Sequence, residues 1–192
     1  MDRFLELIDS RFPLVRETEE PVRFSASGMD FETDSYTAEG LGHAALMKAG
    51  MPDGSMTMTT LIVSPFFRDA PLFSCDRILA PGPDMLYLEL FDTAIGHAFD
   101  TSWTEAVKKD CKNVPDMEPG VHWYDGLCCV RPLTKKGGPA DKAALDNAVF
   151  AFLKGYLDAC AAAPECSGDL KREKAASYSE GLLLHGGPAT DP

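Results

Sequence analysis

Between residues 140 and 163 an apolar side chain returns every three or four positions, at Leu145, Val149, Phe152, Tyr156 and Cys160. That spacing puts them on one face of a long helix, and Pro139 suits its first turn. An apolar helical face must cover something, and the first half of the chain supplies the partner, because its period is different. Residues 56–63, 72–79 and 85–91 are short apolar runs rich in β-branched and aromatic residues, bounded by Asp53-Gly54, Pro65 and the turn Pro81-Gly82-Pro83-Asp84. They read as strands, and their short connections favour an antiparallel meander over β-α-β crossovers.

Weaker patterns fill in the rest. Residues 21–27 and 29–36 alternate loosely around Gly28, which predicts a hairpin turning at Ser27-Gly28. A further strand is expected over 126–131, stopped by Pro132, with Lys135-Lys136-Gly137-Gly138 as a loop. Helices are expected over the amphipathic N-terminus (1–9), over 102–112, and from Ser167, a plausible N-cap, to Gly186-Gly187-Pro188. A sheet early and helices late, with no internal repeat and no long linker, predict an α/β fold and a single domain over 1–192.

Composition narrows the function classes. Hydrophobic residues make up 45% and charged residues 25% of 192, ordinary globular values, and no tract has a disordered composition. The N-terminus is broken by charges every few residues, so it reads as neither a signal peptide nor a membrane span; a cytoplasmic protein is expected. None of the six cysteines forms a C-x-x-C pair, which favours free thiols. A net charge of −12 opposes nucleic-acid binding. The basic residues form small clusters, Lys108, Lys109 and Lys112, then Arg131, Lys135 and Lys136, then Lys171, Arg172 and Lys174, whose default role is solvation.

Familiar motifs are few. Gly40-Leu41-Gly42-His43-Ala44-Ala45 fits the loose dinucleotide pattern, but no acid lies near Thr59-Thr60, where a ribose contact belongs, so a turn of small residues is the better account. The histidines, His43, His97, His122 and His185, have no zinc spacing, and a metal site is not expected. There is neither a nucleophile elbow nor a P-loop. The informative residue is Asp76, which interrupts the apolar strand around Phe73 and Ile78. A half-buried carboxyl costs free energy unless paired. It either pairs with a neighbour such as Arg77 or has its pKa raised, which would let it deliver a proton near neutrality.

Pro71-Leu72-Phe73-Ser74-Cys75-Asp76 and Trp123-Tyr124-Asp125-Gly126-Leu127-Cys128-Cys129-Val130-Arg131-Pro132, followed by the long helix and Pro164, resemble the ferredoxin-dependent bilin reductases, a family that includes the red chlorophyll catabolite reductases. The resemblance spans residues 56–178. It implies a three-layer α/β/α sandwich with a central antiparallel sheet, and a linear tetrapyrrole held between that sheet and the C-terminal helices. It further implies no cofactor held by the protein: external reduced ferredoxin delivers electrons singly, and side chains deliver protons to a radical intermediate. Asp76 falls on the family's sheet aspartate. Thr60 stands where some members have a histidine, and Met47 near a family glutamate. The family's second aspartate would fall at Gly186 or Gly187.

The resulting expectation is reduction of an open-chain tetrapyrrole such as biliverdin, with Asp76 and His185 as catalytic groups and Thr60, Phe73, Arg131 and Tyr178 as substrate contacts. Tyr178, Leu182 and His185 are spaced to share a helix face, and a helix C-terminus favours the imidazolium. The alternative for His185 is a surface residue at a fraying end. Ferredoxins are acidic, so docking is expected at Lys108, Lys109, Lys112, Lys135 and Lys136. Two other functions stay open: a tetrapyrrole carrier without catalysis, and an unrelated enzyme binding a nucleotide at Gly40 to Ala45.

Overall fold

The computed structural model describes residues 2–96, 98–118 and 120–185, and of Asp2, Pro132, Ser177, Leu182, Leu183 and His185 it describes the backbone alone. After helix α1 (Asp2–Asp9) the strands are β1 (Leu14–Arg16), β2 (Val22–Ala26), β3 (Met29–Ala38), β4 (Gly42–Gly50), β5 (Thr57–Ser64), β6 (Leu72–Leu79) and β7 (Asp84–Phe91). Helix α2 (Thr104–Asp110), strand β8 (Cys128–Gly137) and helices α3 (Lys142–Ala162) and α4 (Gly168–His185) follow. The strands form one antiparallel sheet in the order β1-β3-β4-β5-β6-β7-β8, with β2 also paired to β3.

The meander and the hairpin turn are as the pattern predicts, with Ser27 at φ 51° and Gly28 at φ 78°. Two expectations fail. Residues 42–50 form a full strand between β3 and β5, although Gly, Ala and Lys are poor strand formers. Pairing on both sides overrides propensity there. Gly42, at φ 149°, allows the close approach, since a Cβ would sit 2.2 Å from the Ser64 carbonyl oxygen. Strand β8 does not stop at Pro132 but runs on to Gly137, taking in the expected loop. It is an edge strand, where the missing N–H of proline removes no ladder bond.

Alternation gives the sheet two unlike faces. On one lie Leu61, Val63, Phe73, Cys75, Leu88 and Leu133, covered by α3 through Leu145, Val149, Phe152, Tyr156 and Cys160, all buried as the helical period requires. Each such side chain contributes about 1.5–3 kcal/mol on burial. The Phe73 ring packs 5.2 Å from Tyr156, and the Tyr156 hydroxyl donates to the Pro71 carbonyl at 2.9 Å. The opposite face carries Thr60, Ser74, Asp76 and Glu89 beside an apolar flank.

Candidate functional site

Register arranges that second face in rows. One row crosses the sheet through Thr33, Met47, Thr60, Asp76, Tyr87 and Thr134, each opposite the next. On one side of it runs Phe31, Ala49, Met58, Ile78 and Met85. On the other side Ile62, Ser74 and Glu89 lie abreast, and beyond them Leu72, Phe91 and Cys128. Methionine dominates the first flank: Met29, Met51, Met56, Met58 and Met85 cluster there with Met47 of the central row packed against them, six of the chain's eight. Their flexible thioethers make an adaptable apolar wall.

Asp76, 2% exposed, is the centre of the polar row. The Thr60 hydroxyl donates to its Oδ1, and the Ser74 hydroxyl lies 3.4 Å from Oδ2. Among the described residues no cation pairs with it: Arg77, its sequence neighbour, points to the other face and grips Asp84 and Asp146, both at 2.5 Å. Burial therefore prevails over the hydroxyl bonds, with the negative charge of Glu89 adding to it, and the Asp76 carboxyl is pushed up to about 6. Such a group holds and releases protons near neutral pH.

Glu89 is fully buried. Its Oε1 accepts from Arg131 Nε at 2.6 Å, and Arg131 Nη2 donates to Asp125 Oδ1 at 2.7 Å. Burial raises the Glu89 pKa against the opposing pull of Arg131. Above this network the guanidinium of Arg131 lies 5.6 Å from the Tyr124 ring, and the Phe91 ring sits 4.5 Å from Tyr178 of α4 and 5.7 Å from Tyr124. Trp123 packs against α4 so closely that a Cβ on Gly181 would come within 1.9 Å of it. Lys171 anchors the start of α4, its Nζ donating to the carbonyls of Ala70 and Thr93, both at 2.5 Å.

Among the described residues, Glu89 Oε2, Tyr124 Oη, Thr134 Oγ1 and Tyr178 Oη are buried without a hydrogen-bond partner. All belong to this face and the elements packed on it. Leaving such groups unmade costs about 1–3 kcal/mol each, so their concentration around Asp76 marks a place built for a polar guest. Burial raises the pKa of the Tyr124 and Tyr178 hydroxyls, which keeps them protonated as donors. Burial pushes the Cys128 thiol up to about 12, so it is a neutral thiol.

Of the residues expected at the site, Thr60, Asp76, Arg131 and Tyr178 lie on or beside this face. Phe73 does not: residues 73 and 76 differ by an odd number, so Phe73 faces α3 and belongs to the core. His185 ends α4, and its side chain, like Gly186 and Gly187, lies outside the described residues. Lys135 is not a surface lysine. It is 4% exposed, donating to the Val114 carbonyl at 3.0 Å and pairing with Asp116 at 2.6 Å, whereas Lys108, Lys109, Lys112 and Lys136 are exposed. Glu89 escaped the sequence reading, although a glutamate amid Leu86, Leu88 and Leu90 carries the same signal as Asp76.

Among the described residues, no cluster of His, Cys, Asp or Glu could hold a metal ion, and no helix is long and apolar enough to cross a membrane. A groove of about 550 Å³ lies between α2 and α3 beside Trp103 and Gly155, away from Asp76. It is an open trough lined mainly by helix side chains, whereas the unpartnered buried polar atoms lie about the other face.

The antiparallel sheet and its helices make up the fold of the bilin reductases, the class to which the two sequence blocks pointed. The crystal structure of phytochromobilin synthase from tomato in complex with biliverdin is similar at a TM-score of 0.71 and 11% identity, covering 98% of this chain and 77% of that one. No protein-family model and no curated protein sequence matches the chain.

Proposed function

We propose that the protein is an oxidoreductase that binds an open-chain tetrapyrrole on the Asp76 face of the sheet and reduces it with electrons from ferredoxin and protons from side chains. The observation that carries this reading is the buried Asp76 carboxyl, lifted to about 6 beside unpartnered polar atoms. Likeness of fold to a biliverdin complex supports it. In the three-layer sandwich, α4 is the second helical layer and the ligand lies beneath it. The methionine flank and the Phe91, Tyr124 and Tyr178 rings take the pyrrole rings, and the orphan hydroxyls suit the terminal lactam carbonyls.

Asp76 holds pyrrole N–H groups when ionised and donates when protonated. Each electron from reduced ferredoxin adds to the bilin π-system, and a proton follows, so two of each saturate one double bond. Asp76 supplies one proton from the pocket and regains it from solvent between turnovers, and solvent water supplies the second. Thr60 orients that carboxyl through its hydroxyl bond. Ferredoxin docks on exposed Lys108, Lys109, Lys112 and Lys136.

The alternative is a carrier, favoured by the presence of Met47 and Thr60, which donate no acidic proton, in the row of Asp76. Biliverdin titration followed by anaerobic addition of reduced ferredoxin separates the two. An enzyme shifts the biliverdin spectrum on binding, then bleaches or blue-shifts it, with a product two mass units heavier. A carrier stops after the first change, and no spectral change on titration contradicts both.

A further inference from the structure

Asp76 accounts for one carboxyl on this face, and the structure holds a second that the proposed chemistry leaves unused. Glu89 is fully buried, and its two oxygens differ. Oε1 is fixed by Arg131 at 2.6 Å, and Arg131 is itself held by Asp125 at 2.7 Å, whose other oxygen accepts from the His122 backbone N–H at 2.9 Å. That chain of bonds clamps the carboxylate in one orientation. Oε2 has no partner among the described residues. A carboxylate oxygen only accepts, so what is missing at Oε2 is a donor.

The position of Glu89 relative to Asp76 narrows the donor. Glu89 stands opposite Ser74, and Asp76 is the next residue of β6 on the same face. Diagonal neighbours of this kind lie roughly 7–8 Å apart between Cα atoms, within reach of one flat ligand. Arg131 is shared between Glu89 and Asp125, so it leaves the cluster with one net negative charge before Asp76 is counted. Such a surface selects a guest presenting N–H groups and rejects one presenting oxyanions.

We propose that Glu89 is the second acceptor of the site, its Oε2 taking a hydrogen bond from one ligand N–H while Asp76 takes another, so that the ligand class is defined by several N–H groups along one edge. This rests on the reading of the face as a tetrapyrrole site, and open-chain tetrapyrroles carry N–H groups so arranged. Arg131 is a positioning residue: it touches Glu89 and sets which oxygen is offered.

The test uses the full chain with biliverdin as probe. E89Q keeps the shape and can still accept from Arg131, but it presents an NH2 group where the ligand's donor arrives. The expected result is at least tenfold weaker biliverdin binding and a displaced visible band, with the thermal transition of the ligand-free variant still cooperative. E89D, which keeps the charge and withdraws it by one methylene, serves if E89Q does not fold, and should weaken binding while retaining the wild-type band in the bound fraction. Wild-type affinity and an unchanged band in either folded variant would overturn the assignment of Glu89 while leaving the tetrapyrrole reading intact. Failure of the wild-type protein to bind biliverdin would overturn both.

Discussion

Replacing Asp76 by Asn should stabilise the protein at pH 8. The carboxyl titrates at about 6 in the folded state against 3.8 for the ordinary group. Because the folded pKa is the higher, the folded state binds the proton more tightly. Its contribution to stability is therefore fully present below pH 3.8 and is lost as the pH rises through 6. At about 1.4 kcal/mol per pH unit, that rise means the ionised carboxyl costs the fold on the order of 3 kcal/mol above pH 7. Asn has no charge to desolvate, and its Oδ1 can still accept from Thr60. Urea unfolding of both proteins at intervals from pH 4 to pH 8 should show similar stabilities at the acid end. The variant should then gain with a slope approaching 1.4 kcal/mol per pH unit before levelling above neutrality. A stability difference independent of pH, or a wild-type protein more stable at pH 8, would refute the idea that burial raises this group.

The same Asp76→Asn protein should bind biliverdin yet lose ferredoxin-dependent turnover, because the amide carries no acidic proton; wild-type rates would remove Asp76 from the mechanism. Gly181→Ala should destabilise by about 1–3 kcal/mol, since its Cβ would fall on Trp123, and should weaken biliverdin binding by shifting α4; unchanged melting and affinity would contradict the packing. Lys171→Met should cost about 1–3 kcal/mol in denaturant unfolding by removing the donor of the Thr93 carbonyl and leaving the Ala70 carbonyl only the Thr93 hydroxyl at 3.2 Å, and a neutral result would show that water replaces it. Lys109→Glu with Lys136→Glu should slow the ferredoxin-dependent rate most at low salt without changing biliverdin affinity. Lys135→Glu should instead lower stability, because that side chain is buried against Asp116.

What the sequence made legible was whatever had a clean period. The α3 stripe from Leu145 to Cys160 and the strands through Thr60, Asp76 and Tyr87 are where hydrophobic spacing puts them. Strand β4 was hidden because its residues are chosen for close approach, as Gly42 is, and not for strand propensity, although its partners β3 and β5 are the segments on either side of it. Pro132 misled because a single sequence does not reveal which strand is the edge. The site shows the same division. Asp76 stood out as a carboxylate in an apolar strand, and parity alone would have sent Phe73 to the other face and joined Glu89 to Tyr87. The Arg131 clamp and the burial of Lys135 depend on how β8 meets the segments before it, which no local pattern encodes.

The most direct test of the central claim is a crystal structure of the protein with biliverdin bound. The bilin should lie on the Asp76 face between the sheet and α4, with one pyrrole nitrogen about 3 Å from the Asp76 carboxyl and another within the same reach of Glu89 Oε2. Biliverdin seated instead in the groove between α2 and α3, or on the Asp76 face with its nitrogens turned from both carboxyls, would contradict it.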